Sequence, residues 1–251
     1  MEAILIGIFI FLTVFSTEIQ YILGKLREPA GMMYLGTIHY PPDYFYYLSQ
    51  MVQGRAHFLF STMLYTSEKL PFVLVGWQHV LFGRIFSTLG FGVIETYELA
   101  LIFSLLLFLI LAYKLIRIIF PLDRNKRILA YFFFVSSNSL FKIINTPNGP
   151  VLSYFWYWYN HGFQQVRFGP TPHHLLANSF YTLILILAYY WFTQKKPRYQ
   201  VAISLVISSV VLSSINPVYW GLATLTLGAV PLLMLLLNRI RINQSYRQSG
   251  K

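Results

Sequence analysis

The run from Ile94 to Phe120 is apolar for longer than the ~20 residues a helix needs to cross a bilayer, and it ends among Lys114, Arg117, Arg124, Lys126 and Arg127. A stretch of that kind folds as a membrane helix or hides inside a large core. Five more apolar runs decide between the two: Ala3–Leu23, Ile128–Ile144, His173–Phe192, Tyr199–Ile215, and a last one ending at Arg239 and Arg241. With 56% hydrophobic residues, 11% charged and a mean hydropathy of +0.56, the 251-residue chain lacks the share of charge, roughly 25%, of a soluble domain. Nothing alternates with the two-residue period of an outer-membrane strand. The expectation is an all-α, polytopic transmembrane helix bundle of about six spans, forming a single transmembrane domain over residues 1–251.

The cations orient it. Lys and Arg are dense in 114–127, 195–198 and 239–251 and sparse in 24–92 and 142–167, so the first set is expected in the cytoplasm. Both termini then lie inside. Residues 24–92 form a long first outer loop and 145–172 a second. The net charge of +11 is a topology signal and an attraction to anionic membrane lipid, so no nucleic acid partner is implied. With Cys 0, disulfides, iron–sulfur clusters and thiol-based zinc sites are excluded. The first run follows Glu2 without a basic n-region, which makes it a retained span rather than a cleaved signal.

Within 24–92, Pro29, Pro41, Pro42 and Pro71 break a polar-aromatic stretch suited to interfacial helices. Gln78, His79 and Arg84 interrupt Pro71–Leu89, which is therefore expected to lie in the interface, with Pro71 at the first helical position. The aromatic block Tyr154–Tyr159 suits the headgroup level. Asn216-Pro217 marks a tight turn or kink.

Chemistry centres on Asp43, a carboxylate in Tyr40-Pro41-Pro42-Asp43-Tyr44-Phe45-Tyr46-Tyr47. After two prolines it can simply cap a helix over Tyr44–Gln53, or it can act as a base in a pocket shaped by Tyr44, Tyr46 and Tyr47. A second constellation is Arg167-Phe168-Gly169-Pro170-Thr171-Pro172-His173-His174. Thr171 is a candidate N-cap, Pro172 takes the first helical position, and the free N–H groups with Arg167, His173 and His174 would bind a phosphate. The plainer alternative is an arginine reaching lipid phosphate beside two interfacial histidines. Neighbouring histidines point about 100° apart on a helix, so they do not make a metal site alone. Glu68 is a possible second acid or a solvated turn residue. His39, His57 and His79 have no compact ligand spacing and are read as structural.

Asp43-Tyr44-Phe45-Tyr46-Tyr47-Leu48-Ser49-Gln50-Met51-Val52-Gln53-Gly54, followed by Leu64-Tyr65-Thr66-Ser67-Glu68, resembles the acid-bearing first loop of the C-type glycosyltransferase (GT-C) superfamily, specifically the bacterial dolichyl-phosphate-mannose-mannosyltransferase type. The resemblance is best over residues 39–120. It implies a first span, a long outer loop with an essential acid and two interfacial helices, then a second span. It also implies inverting transfer of a sugar from a polyprenyl-phosphate-linked donor on the extracytoplasmic side. Asp43 would be the base, and Arg167, His173 and His174 would hold the lipid phosphate. No cofactor is required by this reading, and a divalent metal stays open because Asp43 has no acidic neighbour, Glu68 lying far along. The chain is short for that family, which implies a truncated relative or a minimal module. A polytopic transporter and a non-catalytic membrane subunit are the rival classes; transporters place polar groups at the midplane, whereas this chain keeps its charge at the span edges.

Overall fold

The computed structural model describes residues 1–36, 41–136, 141–147, 149–154, 171–193 and 199–229. The chain divides into two compact units, Met1–Ser179 and Phe180–Lys251. Helices α1 (Glu2–Leu26), α2 (Pro41–Gln53), α3 (Trp77–Thr88), α4 (Val93–Ile119) and α5 (Arg124–Ser136) are followed by strands β1 (Phe141–Thr146) and β2 (Gly149–Tyr154), then α6 (Pro172–Thr193) and α7 (Tyr199–Ile215). Among the described residues three helices, α1, α4 and α6, are long and apolar enough to cross a membrane, as in an integral membrane protein.

In the first unit α1 and α4 run antiparallel. At one end Glu2, the first residue of α1, takes two hydrogen bonds from the Arg127 guanidinium, at 2.7 and 2.8 Å, and one from the Tyr113 hydroxyl near the end of α4. Arg127 also donates to the carbonyls of Phe120 and Pro121, so one fork closes the turn between α4 and α5 onto the start of α1. At the other end Glu18 of α1 and Glu98 of α4 line one cavity. A chain that leaves α1 and re-enters α4 must therefore return at one end of the pair, and the α2–α3 segment makes that return. Between the ends Leu101, Leu105, Phe108 and Leu109 of α4 pack with Ile6, Tyr131, Val135 and Leu175. The fully buried Tyr131 donates its hydroxyl to the Leu109 carbonyl, which satisfies the one polar atom it carries into that core. Hydroxyls inside α1 turn back on their own helix, Thr13 to the Phe9 carbonyl at 2.8 Å and Thr17 to the Thr13 carbonyl at 2.9 Å.

The run Ile128–Ile144 is not one span. Helix α5 stops at Ser136, and Phe141–Thr146 pairs antiparallel with Gly149–Tyr154 in a hairpin. The sequence Ser136-Ser137-Asn138-Ser139 is poor in helix formers, since short polar side chains compete for backbone hydrogen bonds and disfavour a helix interior. Pro71 does not start a helix either. Residues 71–73 are extended, Val73 and Ser61 exchange both backbone hydrogen bonds, and α3 begins only at Trp77 after Gly76 in the left-handed region, φ 74°. At 12 residues, α3 is about 18 Å long, too short to cross the hydrocarbon core.

Side-chain amides from α2 hold this loop. Gln53 donates to the Thr62 carbonyl at 3.0 Å and accepts from the Thr62 N–H at 2.9 Å, imitating a strand partner. The fully buried Gln50 donates to the Val75 carbonyl at 3.2 Å and fills the space where a Cβ at position 76 would stand. Helices α2 and α3 then cross almost backbone to backbone: a Cβ at position 83 would run into the Met51 carbonyl, and one at position 54 into the Val80 carbonyl.

In the second unit, Asn216 accepts hydrogen bonds from the N–H groups of Val218 and Tyr219 at 3.1 and 3.2 Å. It is the N-cap of a new helical stretch, residues 217–229, with Pro217 in the first position where its missing N–H costs nothing. The expected kink is therefore a capped restart. The Tyr181 hydroxyl lies 3.4 Å from that of Thr226 in the same unit.

Gly83→Ala forces the α2–α3 crossing apart and is expected to cost about 1–3 kcal/mol, read as a lower thermal midpoint in detergent. Gly7→Ala, where a Cβ meets nothing within 4 Å, is expected to be neutral or to gain about 0.5–1 kcal/mol. Equal midpoints for the two variants would contradict the close crossing.

Candidate functional site

Asp43 is the third residue of α2, in its first turn, and it is exposed. That position lies inside the helix and so differs from an N-cap, although the carboxylate still complements the positive end of the helix dipole. From α2 three tyrosines fan out. Tyr44 turns inward, donating to the Leu35 carbonyl at 2.6 Å and packing edge-on against Tyr97 of α4, with ring centres 4.9 Å apart. Tyr46 meets Tyr65 of the following loop. Tyr47, one helical turn after Asp43, stacks on His79 of α3 at 4.5 Å and 12° and also meets His173, at 4.9 Å. Of the pocket expected from Tyr44, Tyr46 and Tyr47, only Tyr47 reaches the histidines.

The histidines come together as a group. The rings of His79 and His173 meet edge to face at 5.3 Å, and those of His173 and His174 lie 4.3 Å apart. Thr171 stands at the N-cap position of α6 and its carbonyl accepts from the His174 N–H at 3.2 Å. Its hydroxyl finds no partner among the described residues. His79 is 1% exposed, and neither of its ring nitrogens has a hydrogen-bond partner among the described residues. An imidazole always carries at least one donor, so leaving both nitrogens unmatched in a buried place costs about 1–3 kcal/mol for each. Such a ring is where a ligand's polar atoms would be welcome. Burial, and secondarily the nearby His174, holds His79 down to about 3, so the ring is neutral at ordinary pH. Burial first, then the negative charge of Asp43 and then Tyr46, pushes the Tyr47 hydroxyl up to about 12. Asp43 and Tyr47 stand four residues apart on α2, one turn along the same face of the helix.

Arg167 and His39 lie outside the described residues, as do residues 155–170 of the second loop. Glu68 is exposed in a bend, its backbone N–H bonded to the Thr66 hydroxyl, the arrangement of a solvated turn. His57 packs on Phe72 at 4.4 Å, a structural contact. Among the described residues no group of three or more His, Asp or Glu is placed to hold a metal ion. His79 is the functional candidate that sequence reasoning passed over. Its spacing from His173 says nothing, because only the α2–α3 crossing and the entry of α6 bring the two rings together. Comparison with protein families, curated proteins and solved structures finds no match to this chain.

A histidine that is neutral when folded but free to protonate when unfolded makes stability depend on pH. The unfolded ring takes a proton near its ordinary value of 6.5 and the folded ring only near 3. The contribution is therefore fully present above pH 6.5 and is lost as pH falls from 6.5 toward 3. His79→Phe, which keeps a ring against Tyr47, is expected to flatten the fall of the unfolding midpoint between pH 7 and pH 4. An unchanged slope in that variant would show that His79 is not buried as a neutral ring.

Proposed function

We propose that this chain is a membrane glycosyltransferase, or a relative of one, that transfers a sugar from a polyprenyl-phosphate-linked donor to an acceptor hydroxyl. One observation carries the reading: Tyr47, one turn from Asp43, packs against both His79 and His173, so the acid-bearing helix and the start of α6 adjoin a single site. In this reading α2 and α3 lie on the extracytoplasmic surface, and the cation-rich ends of α4 and α6 face the cytoplasm. The concentration of cations in 114–127, 195–198 and 239–251 supports that orientation.

The chemistry needs two groups. The exposed carboxylate of Asp43 takes the proton from the acceptor hydroxyl as its oxygen attacks the anomeric carbon. The bond from that carbon to the lipid phosphate breaks on the opposite side, the phosphate leaves with the electron pair, and the configuration inverts. The departing anion is stabilised by N–H donors at the start of α6, by His173 and His174, and by Arg167. Neutral imidazoles contribute one N–H each, so the charge itself falls to Arg167 and the helix N-terminus. Glu68 stays a candidate second acid, and the Tyr47 ring offers an apolar surface beside the site for the prenyl chain.

Asp43→Asn, purified in detergent and reconstituted with polyprenyl-phosphate sugars, is expected to lose at least about 100-fold in transfer rate while its helical circular dichroism and thermal midpoint stay those of the parent. Turnover equal to the parent would reject Asp43 as the base.

A further inference from the structure

Toward the end opposite the Glu2–Arg127 fork, α1 and α4 present matching stripes that do not close on each other. Phe11, Val14, Phe15 and Glu18 on α1 repeat at the same three-, four- and seven-residue offsets as Glu95, Glu98, Leu99 and Ile102 on α4, the spacing of a helix–helix seam. Instead of a seam they line a cavity of about 390 Å³. The surface it offers is apolar, because the Glu18 and Glu98 residues are each only 5% exposed and present almost no oxygen to an occupant. Phe11 and Phe15, stacked with ring centres 6.0 Å apart, stay exposed, so the cavity is a groove that opens to whatever surrounds the two helices.

We propose that this groove holds one acyl chain of a zwitterionic phospholipid as a fixed part of the α1–α4 pair. Both walls belong to helices of membrane length, whose solvent is hydrocarbon, and a hollow with an apolar surface gives an ordered water none of the polar partners it needs. Left empty, the lining side chains would lack contact atoms on one side, a loss that close-packed interiors avoid. A lipid chain supplies those atoms. Its length fits: from Phe11 to Ile22 the groove follows α1 for about 16 Å, and one leaflet of hydrocarbon is about 15 Å deep. Charge selects the headgroup. Among the described residues that line the groove none is basic, and Lys25, the next cation along α1, is already paired with Glu28 at 2.7 Å. A lipid phosphate monoester would find no counter-charge there, whereas a zwitterionic headgroup carries its own. Neither Asp43 nor the histidines take part, so the inference stands apart from the glycosyltransferase reading.

The full chain, reconstituted in membranes holding phosphatidylcholine and phosphatidic acid in equal parts and then washed in detergent to strip loosely held lipid, tests this by native mass spectrometry. One phosphatidylcholine per chain is expected to stay bound. Leu99→Trp, which fills the groove, is expected to lower that retention about tenfold or more, whereas Ile8→Trp, on an exposed part of α1 outside the groove, leaves it unchanged. Should Leu99→Trp fail to fold, the parent protein carries the test: a phosphatidylcholine with a photoreactive diazirine in its acyl chain should, after the same wash, still label Leu99 and Ile102 and no longer label Ile4 and Ile8. Equal retention in the two tryptophan variants, labelling lost from both sets together, a parent washed free of phospholipid, or preferential retention of phosphatidic acid would overturn the proposal.

Discussion

Everything at the candidate site depends on two helices touching at their backbones. Helices α2 and α3 cross where Gly54 faces the Val80 carbonyl and Gly83 faces the Met51 carbonyl, positions at which any Cβ would collide. That separation lets Tyr47 lie flat on His79 instead of being held off by intervening side chains. Once the stack forms, His173 at the start of α6 closes its open side. The amides of Gln50 and Gln53 then fix the intervening loop, Gln53 pairing both backbone groups of Thr62 and Gln50 joining the Ser61 hydroxyl on the Val75 carbonyl.

The α1–α4 pair supports this arrangement by different physics. If these helices lie in lipid, apolar burial between them contributes little, since lipid tails are as apolar as leucine; close packing and polar contacts carry more of the association. The Glu2–Arg127 fork at one end is of that kind: a two-point ion pair with a third hydrogen bond from Tyr113, at side chains 14–18% exposed. At the opposite end an apolar cavity is lined, among the described residues, by Glu18 of α1 and by Glu95 and Glu98 of α4.

What could be read beforehand was local. The long apolar runs became α1, α4 and α6, and Asn216-Pro217 became a capped restart, because run length and cap chemistry act over a few residues. The third run, Ile128–Ile144, reads as one span, whereas α5 occupies Arg124–Ser136 and a hairpin strand begins at Phe141. Pro71 looked like a helix start, but its neighbours are drawn into a bridge with Ser61, a tertiary contact that no window contains. Asp43 and His173 were legible as polar residues beside prolines. His79 was not, since an orphaned buried imidazole is defined by what surrounds it in space. The same holds for Glu18, which in sequence resembles any acid near the end of a span.

The central claim is that the acid-bearing helix and the start of α6 adjoin one site, and it can be measured without catalysis. The chain has no cysteine, so a Tyr47→Cys/His173→Cys pair carries the only thiols. In native membranes a short bis-methanethiosulfonate reagent should link them within one chain, whereas Tyr46→Cys/His173→Cys, whose first position faces Tyr65, should not link. Failure of the first pair alongside efficient linking of the second would place α2 the other way round and contradict the account.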